Sequence, residues 1–210
     1  MHLDRQKRDG QAGEAVSIVC VIPARGGSKR LPRKNLYPFK GKPLLQWVIE
    51  GCLESVHLNK GNIFVSTEDK EISQCAAGLG VQVIPRPAEL SEDEAWIQPV
   101  LIHADDYLNS QGIEYDLMVR AQASSPQIRG VTIDECIDKL VKYSLREVFT
   151  VDQDGLEDAA IHVLLRRSVR QKALSVYMGV VETNYIDVHT VDDIERLDAL
   201  WGGERGSHSI

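Results

Sequence analysis

Val21-Ile22-Pro23-Ala24-Arg25-Gly26-Gly27-Ser28-Lys29-Arg30-Leu31-Pro32-Arg33-Lys34-Asn35 sets a Gly-Gly-Ser turn and five cations directly behind a short apolar strand. Glycines let the backbone approach an anion closely and adopt φ > 0. Exposed amides in such a turn form an anion-binding concavity, and Arg25, Lys29 and Lys34 can neutralise phosphate oxygens. Pro23 and Pro32 stiffen the loop, so less ordering entropy is lost when a ligand arrives. The stretch suits a polyphosphate; the bland alternative is a basic surface loop after an edge strand. It is not a Walker A loop, since no Gly-Lys-Ser/Thr opens a helix, nor the dinucleotide fingerprint, since Gly-x-Gly-x-x-Gly does not occur.

Outward from the loop, residues 17–23 read as a buried strand rich in Val and Ile. Residues 43–56 carry Leu45, Val48, Cys52 and Val56 at helical spacing. Strands at 62–66 and 81–84 flank a helix over 70–79 that ends near Gly80. A helix over 96–109, a strand over 116–121, a helix over 131–143 and a strand over 147–151 continue the alternation. Such a βαβ series predicts an α/β fold of three layers, a mainly parallel sheet flanked by helices. Ligands then bind at the carboxyl ends of the strands, where the cationic loop lies.

Composition narrows the function classes. The 210 residues, 43% hydrophobic and 26% charged, fit a soluble cytoplasmic enzyme. The expected organisation is one domain over 16–203, with a disordered tail over 1–15 and a flexible tail over 204–210. A net charge of -7 argues against general binding of nucleic acid or a membrane surface and makes the cation cluster stand out. Cys20, Cys52, Cys75 and Cys136 lack metal-type spacing and sit in or near apolar segments, which predicts free thiols in a reducing compartment. No apolar stretch is long enough to span a bilayer, and the polar opening lacks the core of a signal peptide.

The cationic loop resembles the nucleotide-binding loop of the acylneuraminate cytidylyltransferase family, which includes pseudaminic and legionaminic acid cytidylyltransferases. Ala24 through Asn35 match it nearly residue for residue. The likeness continues through Gly41-Lys42-Pro43-Leu44-Leu45, Val65-Ser66-Thr67-Glu68-Asp69-Lys70-Glu71-Ile72 and Arg86-Pro87-Ala88-Glu89-Leu90-Ser91-Glu92-Asp93, in family order. It resumes at Gln122-Ala123-Ser124-Ser125-Pro126 and ends near Tyr185-Ile186-Asp187-Val188-His189-Thr190-Val191-Asp192-Asp193. The resemblance implies a Rossmann-like nucleotide-diphospho-sugar transferase fold, a single nucleotidyltransferase domain and CTP as the nucleotide. It further implies that Ala24, Gly26, Gly27, Ser28, Lys29, Asn35 and Arg86 bind the nucleotide, Asn35 and Arg86 reading the base. Arg25 and Lys34 would stabilise charge as pyrophosphate departs. For Arg86 the bland alternative is a surface Arg on a Pro-rich turn, and for Asp93, which matches a family acidic position, a helix N-cap.

On the acceptor side, Gln122, Ser124 and Ser125 match the family's Gln-Pro-Thr-Ser-Pro segment and would contact the acceptor; a strand end followed by a turn is the alternative. The family continues with Leu-Arg, whereas here Gln127-Ile128 precede Arg129. Of the family's Asp-x-Asp-Thr, whose two carboxylates bind the catalytic cation, only the first survives, as Asp187; the second position is His189. Mg²⁺ can be held by one carboxylate plus substrate phosphates, so Asp187 is an expected metal ligand and catalytic residue. His189 favours a softer ion such as Mn²⁺, or acts as a general base. Thr190 and Asp193 form a capping box for a helix over 191–201.

The largest departure lies between Phe149 and Ile161. A long arm that in the family covers the sugar and helps build the dimer is replaced by Asp152-Gln153-Asp154-Gly155-Leu156-Glu157-Asp158, and Asn-Gly-Ala-Ile-Tyr is reduced to Asp158-Ala159-Ala160-Ile161-His162. A homodimer is thus left open. The expected activity is transfer of CMP from CTP to a sialic-acid-like 2-keto sugar acid. The alternatives are a smaller acid or phosphonate acceptor, and a nucleotide-binding subunit without catalysis that serves in regulation or assembly.

Overall fold

The computed structural model describes residues 16–91 and 96–204. Asp93 and the tails expected at both ends lie outside them, except that Glu204 belongs to the last helix. In chain order the elements are β1 (Ile18–Pro23), the short strands β2 (Pro38–Phe39) and β3 (Lys42–Pro43), α1 (Leu44–Leu53), β4 (Ile63–Thr67), α2 (Lys70–Gly78) and β5 (Gln82–Pro85). There follow α3 (Ile97–Ser110), β6 (Leu117–Ala121), α4 (Gly130–Lys142), β7 (Glu147–Val151), β8 (Glu157–Leu165), β9 (Met178–Glu182) and α5 (Val191–Glu204).

The main sheet has seven strands in the order β5-β4-β1-β6-β8-β7-β9. Both its faces are covered, which is why β4, β6 and β7 are buried at every position, and β1 at all but its last, rather than at alternate ones. On one face Cys20, Ile22, Ile63, Val65 and Val119 pack against Leu45, Val48, Ile49 and Cys52 of α1, Ile72 and Ala76 of α2, and Ile133, Cys136 and Ile137 of α4. On the other, Val19, Val21, Phe64 and Met118 meet Leu101, Ala104 and Leu108 of α3. Each such fully buried Leu or Ile contributes about 1.5–3 kcal/mol. All four cysteines are free, with the Cys20 and Cys52 sulfurs 3.9 Å apart in the core.

The three-layer, mainly parallel reading holds, with one topological correction. A plain βαβ series places β7 beside β6, but β8 lies between them, antiparallel to both. The acidic segment is the reason. Asp152 Oδ1 accepts from the backbone amides of Asp154 and Leu156, both at 2.9 Å, and Gly155 adopts φ 78°, so the chain reverses tightly and returns as a strand. The reading also missed β9, which pairs parallel with β7 at the sheet edge. The capping box is present: Thr190 N donates to Asp193 Oδ2 at 2.9 Å and Asp193 N to Thr190 Oγ1 at 3.3 Å.

Candidate active site

Because β1, β4 and β6 run parallel, their carboxyl ends open on one side of the sheet. There a cleft of about 610 Å³ is lined by Arg25, Ser28, Lys29, Arg30, Lys34 and Asn35 from the cationic loop and by Arg86 after β5. Arg120, Gln122 and Ser124 line it from β6 and the turn that follows, Glu157 and Ala159 from the start of β8, and His189 from before α5.

The loop's shape comes from an internal carboxylate scaffold. Glu68, just past β4, accepts from the Gly26 amide at 2.7 Å through Oε1, and from Arg86 at 2.9 Å and Ser91 Oγ at 2.7 Å through Oε2. Burial pushes the Glu68 carboxyl up, but these donors together bring it below its ordinary range, so it stays charged. Asp69 takes both arms of Arg33, at 2.5 and 3.0 Å, while capping α2 through the Glu71 and Ile72 amides. The Arg33 guanidinium holds the Asp69 carboxyl below its ordinary range. A Cβ at Gly26 would overlap that carboxylate. Gly26 is therefore required for a close approach inside the protein, and its amide is taken by Glu68 rather than offered to an anion.

Several expected residues stand otherwise than the sequence suggested. Ala24 is fully buried, donates its amide to Ser66 O at 2.9 Å and does not line the cleft. Gly27 has open space around its Cα. Asn35 lines the cleft but donates through Nδ2 to Arg25 O at 2.9 Å, closing the loop on itself. Lys34 does face the cleft; burial pushes its ammonium below its ordinary range, Asp187 opposes that, and Arg25 and Arg30 reinforce it. Arg86 is nearly buried against Glu68 rather than a surface residue.

Asp187 is brought to the end of β6 beside the cleft; it lines a neighbouring pocket with Asp152, Asp158 and Asp193 and reaches the cleft lining through Gln122, Ser124 and His189. Its Oδ1 accepts from Ser124 Oγ at 2.6 Å and its Oδ2 from Gln122 Nε2 at 3.0 Å. His189 Nε2 lies 3.0 Å from the same Oδ2, and Arg30 lies 3.1 Å from His189 Nδ1. Since Arg can only donate, Nδ1 is the acceptor in the Arg30 contact, which in the neutral ring leaves the proton on Nε2, the nitrogen near Asp187. Both ring nitrogens are thus engaged. Ser125 is buried, outside the lining, and Arg129 is turned away to Glu54 at 2.6 Å.

Among the described residues no group of three or more His, Cys, Asp or Glu could hold a metal ion. The donor set present, one carboxylate and one imidazole beside a cationic cleft, fits a divalent cation carried mainly by substrate phosphates and water.

The sequence reading gave no role to Glu68, Arg30, Arg120 or Glu157. Arg120 had a legible signal: a lone cation inside Leu117-Met118-Val119-Arg120-Ala121, where burial of charge is costly without a partner. The others depend on which loops meet in space.

A cationic loop behind an inner strand of a mainly parallel sheet, sharing one cleft with polar side chains from β6 and β8, is a site suited to a nucleotide's phosphates in an α/β protein. Residues 19–185, most of the chain, match the family described as Cytidylyltransferase, and the chain belongs to that family. It is similar to the pseudaminic acid cytidylyltransferase of Campylobacter jejuni, 33% identical over 136 residues that cover 64% of this chain and 58% of that protein. With N-acylneuraminate cytidylyltransferase A of Danio rerio it shares 32% identity over 134 residues, 64% of this chain and 30% of that one. The chain thus spans well under two thirds of the length of these curated relatives. Among solved structures, a CMP:2-keto-3-deoxy-manno-octonic acid synthetase complexed with CTP superimposes with a TM-score of 0.70 at 19% identity, covering 90% of this chain and 99% of that one, and bears on the fold.

Proposed function

We propose that residues 16–203 form a single nucleotidyltransferase domain that transfers CMP from CTP to a sialic-acid-like 2-keto sugar acid and releases pyrophosphate. The observation that carries this reading is the convergence of Arg25, Ser28, Lys29, Lys34, Asn35, Arg86, Gln122, Ser124 and His189 on one cleft, from segments spread over most of the chain. The names of the relatives above support the choice of nucleotide and of acceptor class.

In this reading the triphosphate lies along the loop, and the acceptor hydroxyl attacks the α-phosphorus in line. The new P–O bond forms as the α–β bridging P–O bond breaks, pyrophosphate leaves with the electron pair, and the hydroxyl proton passes to solvent water. Arg25, Lys29 and Lys34 face the charge that grows on the departing pyrophosphate, and a preorganised donor of this kind supplies about 3 kcal/mol. Gln122 and Ser124 hold the acceptor within reach of the phosphorus, which lowers the entropic part of the barrier. Asp187, with substrate oxygens and water, would hold Mg²⁺ or Mn²⁺; a bound cation supplies charge neutralisation at the phosphates. His189 orients Asp187 and is itself oriented by Arg30.

The test is pyrophosphate release from each of the four nucleoside triphosphates with Mg²⁺ or Mn²⁺, against sialic, pseudaminic, legionaminic and octulosonic acids and small phosphonates. Release with CTP and one sugar acid is expected. The tight β7–β8 turn in place of the family's arm favours a second reading, a smaller acid or phosphonate, which release with only those acceptors would establish. CTP binding without release from any acceptor would instead point to a non-catalytic subunit. A homodimer is tested by light scattering.

A further inference from the structure

Arg120 is 5% exposed yet lines the cleft, and its cationic group is short of acceptors. One terminal nitrogen donates to Ala159 O at 2.6 Å and the other reaches Glu157 Oε1 only at 3.5 Å, while Nε has no partner among the described residues. A guanidinium offers five donors, so this one is under-satisfied, in a place where an uncompensated charge is expensive. Burial pushes Arg120 below its ordinary range, with Glu157 the largest opposing influence. Compare Arg86, which also has an unpartnered Nε but is tied to Glu68 at 2.9 Å.

The surroundings of Arg120 are specific. Ala159 adopts φ 57°, a left-handed conformation that costs a non-glycine residue roughly 1 kcal/mol, next to the register shift between β7 and β8. Its carbonyl is the one that anchors the guanidinium. Glu157, whose side chain is 44% exposed, follows the β7–β8 turn and can leave at little cost. Arg120 stands on β6 two residues before Gln122 and beside Val21 of β1, and it lines the same cleft as the cations of the loop that follows β1.

We propose that Arg120 receives the carboxylate of the acid acceptor, and that Glu157 occupies the guanidinium until the acceptor displaces it. Ala159 holds the guanidinium in place during the exchange. The cleft thereby keeps a buried cation at the acceptor end although Arg129 is turned away. The inference rests on the function proposed above, and it adds the residue that selects for an acid.

The experiment compares CTP-dependent pyrophosphate release with the sugar acid that turns over (N-acetylneuraminic or pseudaminic acid) and with its methyl ester. The wild type prefers the acid by a factor of about 10² or more, consistent with a charge-assisted hydrogen bond at ~3 kcal/mol. In Arg120→Gln that preference collapses to within threefold, while KM for CTP stays within twofold. Glu157→Gln, an exposed change that keeps the fold testable, lowers the acceptor KM two- to fivefold and leaves the CTP KM unmoved. An intact acid preference in R120Q, a raised CTP KM in R120Q, or an unchanged acceptor KM in E157Q overturns the inference alone. A wild type that turns over no acid overturns the functional reading and this inference with it.

Discussion

The two halves of the cleft are built differently. The loop half comes from one continuous stretch, Arg25 to Asn35, pinned from behind by the neighbouring carboxylates Glu68 and Asp69. The other half, assigned above to the acceptor as a proposal, is assembled from the end of β6, the start of β8 and the segment before α5, with Asp187 reaching Gln122 and Ser124 over separations of 65 and 63 residues. Even the loop half takes its shape from partners 42 and 36 residues away, Glu68 at Gly26 and Asp69 at Arg33. The other half has no such continuity, and it holds the two features by which the sequence departs from the family it resembles, the five-residue β7–β8 turn and His189.

That contrast can be broken experimentally. The largest effect is expected for Asp187→Ala, which abolishes turnover while calorimetry still shows CTP binding, because the loop half is left whole; wild-type activity in that variant would sink the assignment. Lys34→Ala comes next, with a loss of about 10²–10³ in kcat/KM for CTP, the size seen when one preorganised donor is removed.

Glu68→Gln tests the pinning. It strips the charge that faces the nearly buried Arg86, and breaking such a pair costs about 3 kcal/mol, read as a clear fall in Tm together with a raised CTP KM. An unchanged Tm would show that the loop holds its shape without Glu68.

A pH profile sharpens the comparison. Because burial lowers Lys34, kcat/KM for CTP should fall on the alkaline side before the ordinary lysine range is reached, and Lys34→Arg should remove that limb. On the acid side the signs reverse. Glu68, Asp69 and Asp193 are all held below their ordinary carboxylate range. The stability they contribute is complete above about pH 4–5, and it is lost as pH falls through their lowered values. Chemical denaturation between neutral pH and pH 3 measures it. The smallest effect is expected for Asp193→Ala, a loss of about 1 kcal/mol from the start of α5, with activity nearly kept.

How much of this was legible follows the same division. Residues 17–23, 62–66 and 70–79 were readable as elements to within a residue or two, because apolar runs and periodicity report burial directly. The β7–β8 turn was present in Asp154-Gly155, a standard turn dipeptide, but its acidic neighbours drew attention to what was missing rather than to the hairpin they make. Arg120 was visible as an oddity in an apolar strand. That Gly26 turns its amide inward could not be read, since the partner that claims it lies 42 residues away.

By itself the sequence determined the class of fold, the cationic loop and its place after the first strand, because strand periodicity, glycine and charge act over a few residues. Only the tertiary structure decided that β8 separates β6 from β7, that Asn35 closes the loop, that His189 comes to lie between Arg30 and Asp187 and that Arg120 enters the cleft. Those outcomes depend on which distant polar groups can satisfy one another once water is excluded, and no local pattern encodes that.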